Sequence, residues 1–436
     1  MVPFQTFDKV DLCMPSNANS NSFDTLAGHV DQDRLWQRHL DMARIGATPR
    51  GGVHRLPFSK EDLESRELFL SWANTRGFIS TMDDFGNIFV RREGTENDLA
   101  PVVSGSHSDT QPNGGQFDGI YGVLAAFEAL EAIDDAGIVT KRPIEAVIWT
   151  AEEADAQFGV GCLGSQVYAN PDKLPKLMDL RNNQNITVRQ SLAGLLKDHP
   201  RVGHRGFRSP IAYYVEAHIE QGPELEARGK TIGIVTAIQG HRSFKVHVVG
   251  EAGHAGATPE RLRKDALVAA MEIFSELRKA FHDPRDIVRF TVGEMDVVPS
   301  AMAVVPGSVT FTIDFRHPDP DALRSLGDQI AIVARQKAGR CEVTVSELRH
   351  TSPVAFTGAV PDAILKAVES LDYSHMFLPS GAGHDARYIA ELAPAGMIFI
   401  PCWRGISHNE SESAELRDMV AGANVLANTL VQLANL

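Results

Sequence analysis

The sequence is poor in cysteine, has no long apolar run and carries no block of basic residues. Four cysteines in 436 residues (Cys13, Cys162, Cys341 and Cys402) form no CxxC pair and no framework spacing. That excludes a disulfide scaffold and leads us to expect reduced thiols in the cytoplasm. No apolar stretch approaches the roughly 18–20 residues that span a bilayer, so no membrane partner is expected. Lys and Arg total 42 against 56 Asp and Glu, a net charge of −14 without any Lys/Arg cluster. Phosphate backbones would be repelled, and nucleic acid is not an expected partner. The first residues show neither a basic segment before an apolar block nor an Arg-rich pattern, so residues 1–30 are expected as a polar, flexible lead-in. Internal repeats and low-complexity tracts are absent as well.

What is present is an ordinary globular composition, 43% hydrophobic and 22% charged, in a chain too long for one core. Residues 31–46 and 59–77 have helical periodicity. From about residue 100, short β-branched runs ("APVVSGS", "IEAVIWT", "IAYYVEA", "AGMIFIP") alternate with helical stretches such as "GIYGVLAAFEALEAI". This alternation predicts an α/β fold with a mainly parallel sheet and helices on both faces. Between 229 and 339 the texture changes. "TIGIVTAI", "SFKVHVVG" and "SVTFTIDFR" alternate like half-exposed strands, with helices at about 265–281 and 320–338. The expectation is a smaller α+β unit at 229–339, inserted into a larger one formed by 1–228 and 340–436.

The residues just past the strands of the larger unit carry the chemistry. "APVVSGS" ends at His107, "IEAVIWT" leads to Glu152 and Glu153, "IAYYVEA" runs to His218, and "AGMIFIPC" is followed by His408. Ligands gather outside the carboxyl ends of strands in open α/β sheets, so these side chains are expected at one edge. Asp118 joins them at the start of a helix, where the helix N-terminus favours its carboxylate. Two His and one carboxylate would serve one metal ion, and a shared Asp with further His and Glu would serve two. Asp109, two residues from His107, is suited to grip the other imidazole nitrogen. The adjacent acids at 152 and 153 suggest that one binds metal while the other handles protons.

At these residues the chain resembles the zinc-dependent amidase, hydantoinase and carbamoylase group, within the aminoacylase and metallo-carboxypeptidase clan. The matching segments are "GSHSDTQPNGGQFDGIYGV", "WTAEE…FGVGCLGS", "EAHIEQGPELE", "GEAGHAGATP", "SGAGHDA" and "GISHNESE", with "MARIGATPRGGVHRL" and "DDFGNIFVRREG" before them. The resemblance covers about residues 31–436 and implies two divalent ions per subunit, Zn2+ first, with Mn2+ or Co2+ serviceable. One ion would be held by His107, Asp118 and His218, the other by Asp118, Glu153 and His408, with Asp118 bridging. Glu152 is then the general base for a water between the ions and later the proton donor to the leaving nitrogen. The resemblance further implies a homodimer formed through the inserted unit, which also acts as a lid. In it, His254 would reach the neighbouring subunit's site to stabilise the oxyanion, and Arg316 would bind the substrate carboxylate. Alternation in "VTFTIDFR" independently puts Arg316 on the polar face of its strand. Gln221 and Gly383 are further expected substrate contacts, while His384 and Asp385 are assigned to local structure.

Four positions depart from the group's pattern. The stretch after Glu153, "ADAQF", is one residue longer and has Gln157 where Arg is usual. Gly253 stands where Asn is common before the His, Ala303 replaces an expected Asn, and His241 takes a usually apolar position, where it would supply a compensating substrate contact. The ligand and base positions are intact, so the expected function is metal-dependent hydrolysis of a linear amide or ureido C–N bond in a small carboxylate, an N-carbamoyl- or N-acyl-L-amino acid. Rival readings are allantoate or ureidoglycolate-type hydrolysis, a dipeptidase or carboxypeptidase activity, and a catalytically silent binding homologue.

Overall fold

A computed structural model describes Leu26, residues 29–199 and residues 202–436. The flexible lead-in expected at 1–30 falls almost wholly outside the described residues, as does Cys13. Strands β1 (Ile79–Met82), β2 (Ile88–Arg92), β3 (Val102–His107), β4 (Ile144–Trp149), β5 (Gly203–His204), β6 (Tyr213–Ile219) and β7 (Ile232–Ile238) come first. They are followed by β8 (Gly240–Val249), β9 (Gly253–His254), β10 (Arg289–Val298), β11 (Val304–Val305), β12 (Ser308–His317) and β13 (Glu342–Thr351). The chain closes with β14 (Val354–Ala355), β15 (His375–Ser380) and β16 (Ala395–Ile400).

Ten strands form one sheet in the order β14-β7-β16-β6-β3-β4-β2-β1-β5, with β15 also paired to β7. Its centre, β16-β6-β3-β4, is parallel throughout, and antiparallel partners flank it on both sides. β3 and β4 are buried along their whole length, as strands covered by helices on both faces must be. Helix α1 (Gln32–Arg44) is capped by the Asp31 carboxylate, and α2 (Lys60–Arg76) begins at Ser59 and stops at the left-handed Gly77. Helix α3 (Ile120–Asp135) is apolar nearly all round and is almost entirely buried against the sheet and the C-terminal helix Leu416–Ala434. This is the mainly parallel, helix-covered fold that the alternation of segments predicts.

The second sheet is antiparallel, in the order β10-β12-β8-β13. β12 alternates strictly between buried and half-buried positions, and its buried Val309, Phe311, Ile313 and Phe315 pack under helices Ala266–Ala280 and Pro320–Lys337. The insert differs at both ends from the expected 229–339. "TIGIVTAI" forms β7, a buried strand of the large sheet, whereas Glu342–Thr351 forms β13 of the small one. Alternation misplaces β7 because Gly233 and the exposed Thr236 interrupt an otherwise apolar, buried strand. The small sheet therefore draws on residues 240–351. Among the described residues no helix is long and apolar enough to cross a membrane.

Candidate metal centre

The order of the parallel strands reverses between β3 and β6, the place where an open α/β sheet opens a crevice at its carboxyl edge. His107 is the last residue of β3, and His218 is the last but one of β6. Asp118 precedes Gly119, the N-cap of α3, and Glu152 and Glu153 lie in the turn after β4. His408 comes from the loop after β16, with a left-handed backbone (φ 55°). These six side chains line one cavity of about 440 Å³.

Asp118 sits at the middle. Its Oδ1 lies 3.2 Å from His218 Nε2 and 3.8 Å from His107 Nε2. Its Oδ2 lies 3.1 Å from His408 Nε2, which is itself 3.3 Å from Glu153 Oε1. The two carboxylate oxygens thus face separate partner sets, His107 with His218, and His408 with Glu153; each set together with Asp118 is close enough to share an ion. The histidines are oriented for this: Nδ1 of His107 meets the Asp109 carbonyl at 2.9 Å, and Nδ1 of His218 meets the Ile219 carbonyl at 2.9 Å. Both imidazoles therefore carry a proton on Nδ1 and direct Nε2 into the cavity, where its lone pair would meet a cation. Burial, opposed by Asp118 and reinforced by His218, holds His107 down to about 4, which keeps it neutral. Burial alone would raise Asp118, but His218 and His408 hold it well below the usual carboxylate range.

The shell fits divalent cations. Asp118 Oδ1 and Glu153 Oε1 are buried and accept no hydrogen bond, an arrangement that is costly unless a cation meets them. Burial and the charge of Glu153 push Glu152 well above its ordinary range, and burial with Asp118 does the same to Glu153. A carboxylate cluster this crowded calls for positive charge. The donor set of imidazole nitrogen and carboxylate oxygen suits Zn2+, Mn2+ or Co2+.

Surrounding contacts explain the glycines and revise one expectation. An added Cβ on Gly119 (φ 68°, ψ −53°) would land within the His107 ring, and one on Gly115 would land on the Glu412 carboxylate. Sequence reasoning does not reach Glu412. Its Oε1 accepts from the Phe117 and Asp118 N–H groups at 2.8 and 2.9 Å, and its Oε2 accepts from the Ser407 hydroxyl at 2.7 Å. Burial, then the charge of Asp118, pushes Glu412 up to about 7. Gln111, equally silent in the sequence, donates to Glu153 Oε2 at 2.6 Å and to Asp155 at 2.8 Å. The carboxylate of Asp109 does not grip His107, because its Oδ1 is 4.0 Å from the ring. The main-chain carbonyl does that, while Asp109 Oδ2 accepts the Glu153 N–H at 2.9 Å. Adjacent turns leave the side chain facing the β4 loop, so it fixes a neighbouring carboxylate instead.

Glu152 Oε1 accepts from the Cys162 thiol at 2.8 Å, and its Oε2 lies 3.8 Å from His107 Nε2. Gln221 Nε2 donates to Asp118 Oδ2 at 3.0 Å and lies 3.2 Å from the Ser407 hydroxyl oxygen. Arg316, His241 and Gly383 line the same cavity from the small sheet and the β15 loop. Arg316 donates to the Gly381 carbonyl at 2.7 Å and, more weakly, to Asp314 Oδ1 at 3.3 Å, and His241 Nε2 lies 2.5 Å from Asp314 Oδ2. His384 packs edge-on against the His218 ring with Nε2 2.9 Å from the Ser380 hydroxyl, and Asp385 accepts from Ser165 at 2.5 Å. His254 is not in this cavity. It is exposed on β9, where Nδ1 accepts from the Gly256 and Ala257 N–H groups at 3.0 and 3.2 Å. The Ala303 carbonyl accepts from Ala255 beside it, and Gln157 lines a different hollow with Phe58 and Gln190.

Known proteins share this chain almost end to end. The model of peptidase family M20/M25/M40 matches residues 103–432. The N-carbamoyl-L-amino-acid amidohydrolase of Rhizobium meliloti is 38% identical over 411 residues, covering 93% of this chain and 97% of that enzyme. The allantoate amidohydrolase of Escherichia coli K12 is 34% identical, covering 90% of this chain and 96% of that enzyme. The crystal structure of a hydantoinase/carbamoylase family amidase from Burkholderia multivorans superposes with a TM-score of 0.86 at 41% identity, covering 93% of this chain and 98% of the other.

Proposed function

The chain belongs to peptidase family M20/M25/M40, within its hydantoinase/carbamoylase amidases, and from that premise we propose that it hydrolyses the linear C–N bond of an N-carbamoyl- or N-acyl-L-amino acid. It is a metal-dependent amidohydrolase acting on non-peptide C–N bonds. The observation that carries this reading is the divided carboxylate of Asp118, with Glu152 beside it at the cavity wall. His107, Asp118 and His218 would hold one ion, and Asp118, Glu153 and His408 the other, Zn2+ being the first choice and Mn2+ or Co2+ alternatives. When bound, such ions supply Lewis acidity to a carbonyl oxygen and acidify water.

The protein's own groups do the rest. Glu152 takes a proton from the attacking water and passes it to the leaving nitrogen. The Cys162 thiol occupies Oε1, so Oε2, on the side of His107, is the oxygen that carries that proton. Arg316 has N–H groups free beyond its bonds to Gly381 and Asp314, and these receive the substrate α-carboxylate. Gln221, held against Asp118, and the Gly383 main chain border the reacting group. Asp314 restrains His241, which forms part of the wall. His254, exposed and outside its own chain's cavity, acts from one subunit on the site of another, and the insert serves as the dimer contact and lid. The unpaired Cys162, Cys341 and Cys402 accord with a cytoplasmic setting.

An allantoate-type activity is the second reading, favoured by the 34% identity to such an enzyme. Ala303, which cannot offer the amide contact expected for a ureido group, weighs against allantoate and N-carbamoyl substrates alike and leaves an N-acyl-L-amino acid unaffected. Metal-replete enzyme given N-carbamoyl, N-acetyl and N-formyl amino acids, allantoate and dipeptides should release ammonia from carbamoyl substrates or free amine from acyl ones. Glu152→Gln should abolish the release. Turnover confined to dipeptides or allantoate, or undiminished in Glu152→Gln, would refute the proposal.

A further inference from the structure

The proposed reaction uses one anionic group on the substrate, yet the cleft offers more positive charge than that group needs. On the face of the small sheet turned to the metal cluster, cross-strand pairing aligns two rows: Arg316, His241 and Thr351, then Asp314, Ser243 and Arg349. Asp314 is the single carboxylate in these rows, and His241 and Arg316 already engage it. Arg349 also lines the catalytic cavity, with no carboxylate within 4 Å among the described residues. Its nearest hydrogen-bond acceptor is the Gly159 carbonyl across the cleft, at 3.4 Å, too long for a strong bond. Behind it, Arg387 is buried with both terminal nitrogens on the carbonyls of Ser352 and Gln239, and it too lacks a carboxylate within 4 Å among the described residues.

A backbone irregularity puts Arg349 on this face. β13 pairs regularly with β8 up to Glu347 opposite Phe244, and the next pair is Arg349 opposite Ser243. Leu348 is the extra residue of a bulge and is 55% exposed. In an unbulged strand Leu348 would face the cleft and Arg349 would turn to the helix-covered side. Glu347, the acid closest in sequence, lies on that opposite side and is spent on Arg242.

We propose that Arg349, with Thr351 beside it, forms a subsite for a second acidic group, so that the preferred substrate is an N-carbamoyl or N-acyl derivative of a dicarboxylic amino acid. This rests on the amidohydrolase reading above and on Arg316 holding the α-carboxylate. Arg316 and Arg349 stand on strands separated by β8 and two residues out of line along them, about 12 Å apart at the backbone. A short dicarboxylate paired at each end with a guanidinium spans such a gap. The planar fork of Arg349 grips both oxygens of the side-chain carboxylate, and the Thr351 hydroxyl donates to one of them.

N-carbamoyl-L-glutamate and N-carbamoyl-L-glutamine share a shape and differ in charge, so their kcat/KM ratio tests the subsite. Metal-replete enzyme should favour the acid by about tenfold to a hundredfold. Arg349→Gln should bring the ratio close to one, and Arg349→Lys should keep part of it. Equal use of the two probes by the wild type, or a ratio untouched by Arg349→Gln, overturns the proposal. If neither probe is hydrolysed, the carbamoyl half of the reading above is wrong, and calorimetric binding of the same pair to metal-replete Glu152→Gln protein decides the subsite. A charge preference lost with Arg349 would then uphold it, and equal affinity would refute it.

Discussion

Replacing Gly119 by alanine should disturb the centre through geometry alone. The residue sits at φ 68° and ψ −53°, a conformation that L side chains seldom adopt, and its Cβ would overlap the His107 ring. The backbone strain is worth about 1–3 kcal/mol. Forcing His107 aside in a close-packed wall adds about 1–3 kcal/mol, for a total of about 2–6 kcal/mol. Gly137 makes a matched control. It lies just past the other end of α3 at φ 64°, with no atom within 4 Å of an added Cβ, so alanine there should cost only about 1 kcal/mol. Urea unfolding and metal content per chain are the readouts. Gly119→Ala should lose the larger energy and at least one ion, and Gly137→Ala should keep its full complement. If both variants unfold alike and hold metal alike, the close approach of Gly119 to His107 does not exist in the protein.

The same contacts set three further outcomes. Glu412→Ala leaves the buried N–H groups of Phe117 and Asp118 without their acceptor; unfolding should show a loss of about 2–4 kcal/mol, and a loss under about 0.5 kcal/mol would contradict the contact. Chelation should abolish activity and lower Tm, with both restored by Zn2+ or Mn2+; a Tm indifferent to chelator would mean that no ion meets Asp118 Oδ1. His39 is stacked between Trp36 and Phe117, and burial, aided by Arg55, lowers it from 6.5 to about 4. The unfolded chain then binds more protons between those values, so stability falls as pH drops from about 6.5 toward 4. Relative to His39→Leu, the wild type should lose about 2 kcal/mol between pH 7 and pH 5, and parallel pH profiles would refute this.

His107, Glu152, Glu153, His218 and His408 are legible because each comes at or just after a strand whose apolar run is unmistakable, and parallel strands bring their carboxyl ends to one edge. Asp118 is legible from the glycines around it and the helix that starts there. Glu412 and Gln111 are not, since an acid or amide in a polar loop looks solvated until a partner far along the chain is placed against it. Phe117 and Glu412 are 295 residues apart. The role of Asp109 is misread from spacing because spacing shows proximity but cannot tell a carboxylate from the carbonyl of the same residue. The insert boundaries slip where β7 is buried in the large sheet yet interrupted by Gly233 and the exposed Thr236. Arg349 escapes notice altogether, because period-two reading of "EVTVSELRHT" cannot anticipate a bulge.

That bulge lies in an edge strand, where only one neighbour has to accommodate the extra residue. The same stretch of chain therefore encodes two cleft walls. With the irregularity at Leu348 the wall shows Arg349 and Thr351; displaced toward the end of the strand, it would show Leu348 and His350, one aliphatic and one titratable. A change of substrate preference could then arise without altering any side chain that meets the substrate, through a substitution that moves the bulge along β13. In such a lineage, pocket residues would look unchanged in alignment while the surface they present had been exchanged.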